Sequence, residues 1–244
     1  MASKAKRKTP SNTLHKQRFP GEGRSYRVAR NALLKAEIEL RRKIESVAAL
    51  RRKLPQGGPV PEDYEFEEGG ADPAGDVRRV KLSELFRRDA SLVIYSYMYG
   101  PAMAKACPMC TGILDSLDGA APHVAQRVNL VVVAKSPIQR IRAIALERGW
   151  RNLRLLSSAG NSYNRDYHGE DAKGSQLPAL NVFTRRGGKI YHAYCTELLF
   201  VAPERGQNGR HVDMIWPLWN LFDYTPEGRG TDWYPKLAYG TAGT

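Results

Sequence analysis

Cysteine is scarce in this chain of 244 residues. There are three, and two of them share one Cys-x-x-Cys, Cys107 and Cys110. That excludes the paired framework that staples small secreted domains. It also argues against zinc, whose structural sites want four ligands. Neither Cys195 nor the five histidines supply a second pair at ligand spacing. No metal or cofactor is therefore expected. No apolar run approaches the ~20 residues of a membrane span. The opening MASKAKRKTPSNTLHKQRF is basic without an apolar centre, unlike a secretory signal. A reducing cytoplasm is the expected setting. Glycines never gather into a phosphate-cradling loop, and Gly57-Gly58 and Gly187-Gly188 read as turns. Acidic residues are in deficit, 25 against 38 Lys and Arg, and the deficit is local. Residues 1–54 carry 16 Lys/Arg and 4 Asp/Glu, whereas the remainder carries 22 and 21 and is close to neutral.

The excess charge therefore belongs to an arm and one helix. Residues 1–24 are rich in Lys, Arg, Ser, Pro and Gly and read as a disordered basic arm. Such an arm can touch nucleic acid or an acidic surface. No helix–turn–helix, zinc finger or RNA-binding aromatic motif accompanies it, so a solubilising tail is the favoured reading. Residues 25–54 read as an amphipathic helix with Ser25 as its cap. Tyr26 to Leu54 contains neither Gly nor Pro. Leu33, Ala36, Leu40, Ile44, Val47, Leu50 and Leu54 recur at helical spacing. Leu33, Leu40, Val47 and Leu54 also repeat every seven residues, which permits a homodimer through this helix. The alternative is a single helix lying on its own domain. Pro55 to Pro59 ends it.

The remaining chain, about 60–240, is organised around Ser91–Leu117. A β-rich run (Leu92 to Tyr95) leads through Gly100-Pro101 to Cys107-Pro108-Met109-Cys110. There a helical spacing of Ile113, Leu114 and Leu117 begins. Strand, loop, then Cys-x-x-Cys at a helix start is the thioredoxin arrangement. Helix-terminal amides stabilise a thiolate, and Pro108 is tolerated in a first turn. Tyr64-Glu65-Phe66 reads as a short strand, and Val80 to Phe86 as a short helix starting near Ser83. Val128 to Ala134 is apolar throughout, as in a parallel strand covered on both faces. Pro137 to Leu146 reads as a helix, Leu153 to Leu156 as a strand, and Ser157 to Gly174 as a polar loop. Two β-rich runs around Gly187-Gly188 make a hairpin, with Pro178 at its first residue. Strands alternating with helices, then a hairpin, is an α/β order. The aromatic end, Trp216-Pro217-Leu218-Trp219 to Trp233-Tyr234-Pro235, is expected to dock on the body, helical from Ile215 to Phe222.

The chain resembles, from about Ser25 to Leu237, the bacterial thioredoxin-like family catalogued as domain of unknown function 899. The resemblance rests on Ala29-Arg30 with Leu33-Leu34, Leu54-Pro55, Tyr64-x-Phe66, Tyr99-Gly100-Pro101, Cys107-Pro108-x-Cys110 and Pro122-His123. It continues in Gly149-Trp150, Ser157-Ser158, Asn164-x-Asp166, Leu177-Pro178 and His192-x-Tyr194. It ends in Asp223-x-Thr225-Pro226-x-Gly228-Arg229. It implies a thioredoxin-like fold and a dithiol site, with Pro178 as the cis-proline that faces the dithiol and shapes the substrate ledge. The chain departs from the family in its basic arm and in Cys195, where members tend to carry a small hydroxyl residue.

The expected activity is thiol–disulfide exchange with a protein or small-molecule thiol or disulfide, Cys107 attacking and Cys110 resolving. Pro108 and Met109 add no positive charge to sharpen the thiol's acidity. One alternative is a peroxiredoxin-like peroxidase. That reading wants Thr or Ser three residues before the reactive cysteine, where this chain has Ala104. A second is a binding or redox-sensing module without catalysis. Cys195 is a third participant or a buried small hydrophobe. His123 and His192 are expected as structural histidines near strand ends. Asn164 and Asp166 either face the dithiol or stitch their loop. Arg229 is expected to pair with a carboxylate.

Overall fold

The computed structural model describes residues 14–72, 74–87, 91–209, 214–228, 230 and 232–239. Most of the expected basic arm (1–13) and Arg229 lie outside the described residues. The chain divides into two compact units, Met1–Leu54 and Pro55–Thr244.

The first unit is dominated by one helix, α1 (Arg24–Arg52). Ser25 is not its cap. Gly23 holds the extended backbone before the first turn. Glu22 behind it accepts from the Phe19 N–H at 3.2 Å and pairs with Arg27. That pair spans the first turn, so no hydroxyl is needed there. Arg51 and Arg52 end the helix, where a cation suits the negative end of its dipole.

The second unit is α/β. Its elements are β1 (Glu65–Glu68), β2 (Arg78–Lys81), β3 (Leu92–Tyr97), α2 (Pro108–Val124), β4 (Asn129–Ala134) and α3 (Ile138–Arg148). They continue with β5 (Leu155–Ser157), α4 (Tyr163–Asp166), β6 (Ala179–Arg186), β7 (Lys189–Cys195) and α5 (Pro217–Phe222). Leu82–Leu85 and Glu197–Leu199 are 3-10 turns. The strands form one sheet in the order β2-β1-β5-β4-β3-β6-β7. β3 is parallel to β4 and β4 to β5, while β6 is antiparallel to β3 and β7 to β6. A βαβ unit with the dithiol helix after its first strand, closed by an antiparallel hairpin, is the thioredoxin-like topology. β1 and β2 extend it antiparallel beyond β5.

Side-chain alternation along β3 and β4 sorts the core onto two faces. Tyr95, Tyr97, Val132 and Ala134 pack against α2 and α3 through Ile113, Leu114, Ile138 and Ile141. Leu92, Ile94, Val131 and Val133 face a second cluster with Phe66, Leu82, Leu85, Tyr163, Tyr167 and Phe183. Both faces of β4 are thus covered, as its unbroken apolar run requires. The aromatic end docks on the first face. Trp216 and Trp219 are buried in the cluster that holds Cys110. Gly112 on α2 lies beside the Trp216 ring, at a distance where a Cβ would meet it in ordinary contact, 3.4 Å.

Buried charge fastens the helices. The Asp118 carboxylate accepts from the Asn152 and Leu153 N–H groups at 2.8 and 3.1 Å. Arg142 donates to the carbonyls of Gly70 (2.9 Å) and Gly75 (2.7 Å), holding that loop to α3. The Gly187-Gly188 turn has positive φ at both residues, 55° and 75°. Only glycine takes that backbone at no cost, so the hairpin register is set there. The outer edge of β7 is covered by residues 57–60. Val60 N–H donates to Ile190 O at 2.9 Å and His192 N–H to Gly58 O at 3.0 Å. Gly57 lies against the His192 carbonyl with no room for a Cβ. The opposite edge, β2, is guarded by exposed Arg78, Arg79 and Lys81, a charged edge that discourages pairing with other chains. Among the described residues no helix is long and apolar enough to cross a membrane.

Candidate functional site

β3 delivers the chain to the dithiol. At its C-terminal end residues 98–107 loop out and return, and the Cys107 N–H donates to Met98 O at 3.1 Å. Cys107 is the cap residue of α2, with extended backbone, and Pro108 opens the helix where no N–H partner is available. The loop is held from behind by α3 and the residues before it. Ser136 donates through its N–H to Tyr99 O (2.9 Å) and through its hydroxyl to Gly100 O (3.1 Å). Arg140 donates to Pro101 O at 3.0 Å and stacks its guanidinium 4.4 Å from the Tyr99 ring centre. A cation on an aromatic face that also satisfies loop carbonyls rigidifies the approach to Cys107.

The two thiols differ. Neither is disulfide-bonded; Cys107 is half-buried and Cys110 fully buried. Cys110 sits under the helix start with Tyr97, Ile113 and Leu114. Thr111 ties the first turn to the sheet. Its hydroxyl donates to Cys107 O at 2.9 Å and so accepts from the Tyr97 hydroxyl at 2.7 Å. Burial pushes the Tyr97 phenol well above its ordinary range, and the two neighbouring thiols push it further. Tyr97 is therefore a neutral donor at physiological pH.

Pro178 lies at the start of β6. Ala179 pairs with Ser96 near the end of β3, which brings Pro178 level with the strand that enters the dithiol loop. The described residues contain no cis peptide bond, so the expected cis-proline is trans. The Leu177 N–H is engaged by Gly169 O at 2.9 Å. That bond occupies one backbone donor beside Pro178.

Asn164 and Asp166 stitch their loop. Asn164 accepts from the Ser158 hydroxyl (2.8 Å) and donates to Gln176 (3.2 Å). Asp166 accepts from Tyr64 (2.9 Å) and Ser162. Gln176 is packed so tightly on Gly100 that a Cβ there would stand 2.8 Å from its Cγ. The polar loop thus buttresses the dithiol loop through Gln176.

Cys195 ends β7 opposite Asn181, and paired residues share a sheet face. Asn181 donates to Tyr167 O at 3.2 Å, on the face away from α2. Cys195 is therefore across the sheet from Cys110. Burial pushes its thiol up to about 11. It is a buried small hydrophobe.

His123 is in the last turn of α2 and His192 is inside β7, not at a strand end. His192 contacts Asn181 Oδ1 at 2.9 Å and lies 5.2 and 5.3 Å from the Tyr167 and Phe183 ring centres. Burial lowers its pKa, and Glu197 opposes this only in part. The unfolded chain then binds the proton more readily than the folded one. Stability is expected to fall as pH drops below about 6.5, and His192→Gln should flatten that slope. Urea midpoints at pH 7.5 and 5.5 read the difference.

A cleft of about 770 Å³ is lined by Glu62, Asp63, Glu65, Arg79, Asn161 and Arg165 among others, none from the dithiol loop. Tyr97, Arg140 and Gln176 were not readable as site residues. They are common residue types whose placement depends on sheet register and on the α3 contact.

A family model described as a bacterial protein of unknown function (DUF899) matches residues 16–239. No curated protein matches the sequence. Among solved structures, Plasmodium yoelii thioredoxin peroxidase I is similar at 18% identity and TM-score 0.45, covering 75% of this chain and 100% of that one. Enterococcus faecalis AhpC is similar at 14% identity and TM-score 0.44, covering 69% and 94%. A reduced 2-Cys peroxiredoxin of Plasmodium vivax is similar at 18% and 0.44, covering 57% and 70%.

Proposed function

The chain belongs to the DUF899 family of bacterial proteins, and within it we propose a thiol–disulfide oxidoreductase acting through Cys107 and Cys110. One observation carries this reading. A half-buried thiol caps a 17-residue helix, and a second, fully buried thiol lies one turn behind it. Helix-terminal amides favour the thiolate at Cys107. Its sulfur attacks a substrate disulfide, forming a mixed disulfide and expelling one substrate thiolate. The Cys110 thiolate then attacks Cys107 Sγ, closes the Cys107–Cys110 disulfide and expels the second substrate thiolate. Run backwards, the same steps oxidise a dithiol. The Tyr97–Thr111–Cys107 carbonyl chain and the Arg140 clamp hold the helix start still while the sulfurs exchange partners.

The substrate is a protein or small-molecule thiol or disulfide, and the working compartment a reducing cytoplasm. No observation favours peroxidase chemistry. Ala104 offers no hydroxyl, and the Thr111 hydroxyl is committed to Cys107 O and Tyr97. Glutathione disulfide is a direct probe. Reduced protein mixed with an excess of it is expected to lose two hydrogens in intact mass, with no lasting glutathione adduct. Protein that stays reduced, or that stops at an unresolved adduct, contradicts the reading.

A further inference from the structure

The dithiol does not stand alone as sulfur chemistry. The chain has five methionines, and three of them, Met98, Met103 and Met109, fall within nine residues of Cys107. All three are half-buried and pack, with Cys107, against the cluster that contains Cys110. The backbone enforces the gathering. The Cys107 N–H bond to Met98 O, at 3.1 Å, closes the loop and sets Met98 beside the helix start. Met103 turns its thioether inward, where Sδ accepts from the Gly100 N–H at 3.3 Å. Met109 sits between the two cysteines on the first turn of α2. A loop built only to exchange disulfides needs apolar cover, and Leu would serve as well. Unbranched, polarisable thioethers at all three positions are a different choice.

Hard and borderline cations are poorly served here. Among the described residues no three His, Cys, Asp or Glu side chains converge. Zinc, which takes four N, S or O ligands, finds only two. Soft thiolate and thioether donors select Cu(I), a singly charged cation. Two thiolates and one or more thioethers, packed against the cluster that holds Tyr99, Trp216 and Trp219, make such a donor set.

We propose that the reduced Cys107–Cys110 pair, with thioethers from Met98, Met103 and Met109, is a Cu(I)-binding site. From the fully protonated pair, binding breaks two S–H bonds and forms two Cu–S bonds, releasing two protons, and one fewer where Cys107 is already a thiolate. No electron moves. The bound form holds both sulfurs as thiolates, so copper and disulfide formation exclude one another. The loaded protein resists oxidation by glutathione disulfide, and the oxidised protein does not take up the metal. The site uses the same two thiols as the exchange chemistry but does not depend on that chemistry.

The test is an anaerobic titration of the full, reduced chain with Cu(I) against the chromophoric chelator bicinchoninate. One Cu(I) per chain is expected to leave the chelator. Cys107→Ser and Cys110→Ser are each expected to abolish the transfer. The triple variant Met98→Leu/Met103→Leu/Met109→Leu keeps side-chain volume nearly constant. It is expected to weaken Cu(I) binding by at least about tenfold through loss of soft ligands. Its two-hydrogen loss with glutathione disulfide should be unchanged, which shows that the triple variant is folded. If the wild-type chain leaves Cu(I) with the chelator while still cycling its dithiol, the copper site is overturned and the exchange reading stands. If the triple variant binds as tightly as wild type, the thioether site is overturned. Transfer of Cu(I) to a chain that fails to close its disulfide supports the site and removes the exchange reading.

Discussion

Truncating Trp219 to alanine is expected to lower the free energy of unfolding by about 3–5 kcal/mol, the range for buried aromatic-to-alanine changes. Trp219 is fully buried although it lies in the tail that follows the last strand, residues 196–244. Its ring centre is 5.2 Å from Trp216, 5.8 Å from Phe222 and 5.7 Å from Trp233, each pair near edge-to-face. That geometry adds to the gain from burial alone. The tail touches α2 through the same cluster, so the loss extends to the dithiol. Cys110, fully buried in the wild type, should become open to alkylation in the variant at urea concentrations where the wild type still protects it. Tyr224, 84% exposed two residues beyond α5, is the control. Tyr224→Ala is expected to change stability by no more than about 0.5 kcal/mol. Urea unfolding read by fluorescence separates the two. Equal, small losses for both would mean that the aromatic tail is not part of the core.

The second large effect is an asymmetry between the cysteines. Cys107→Ser is expected to reduce exchange with glutathione disulfide to the level of a protein without accessible thiols. The two thiols that remain, Cys110 and Cys195, are both buried. Cys110→Ser is expected to do the opposite. It should accumulate a stable glutathione adduct on Cys107, because nothing is left to resolve it. Cys195→Ser should exchange like wild type, since its thiol lies across the sheet from Cys110 and is pushed up to about 11 by burial. Intact mass after acid quenching distinguishes all three. An adduct that forms equally on Cys110 in the Cys107→Ser chain would reverse the assigned roles.

The parts of this fold that could be read from the sequence are those set by local rules. The helix at 24–52, the strand–loop–helix around Cys107 and the hairpin about Gly187-Gly188 each carry their own signal: periodicity, a first-turn proline, paired positive-φ glycines. The doubly apolar run of β4 announced covered faces. The elements that escaped are those whose residues serve a non-local purpose. β2 shows three charged side chains and one inward Val80, because it is an exposed edge. α4 is a single turn held by Ser158 and Gln176 on either side of it and by Tyr64, which is 102 residues from its partner Asp166. The site divides the same way. In the proposed site, the choice of the two cysteines comes from spacing alone. The Arg140 clamp, the Tyr97 donor and the Gln176 buttress depend on the register of β3 and the docking of α3. The expectation of a cis-proline comes from resemblance, and the Leu177–Pro178 bond is trans.

The measurement that tests the central claim most directly is an equilibrium redox titration of the purified chain across glutathione buffers. Alkylation after quenching is counted by intact mass. The account predicts a single two-electron transition in which two thiols appear and disappear together, lost in Cys107→Ser and in Cys110→Ser and retained in Cys195→Ser. No transition, or one that survives either of the first two substitutions, would contradict a dithiol active site at the start of α2.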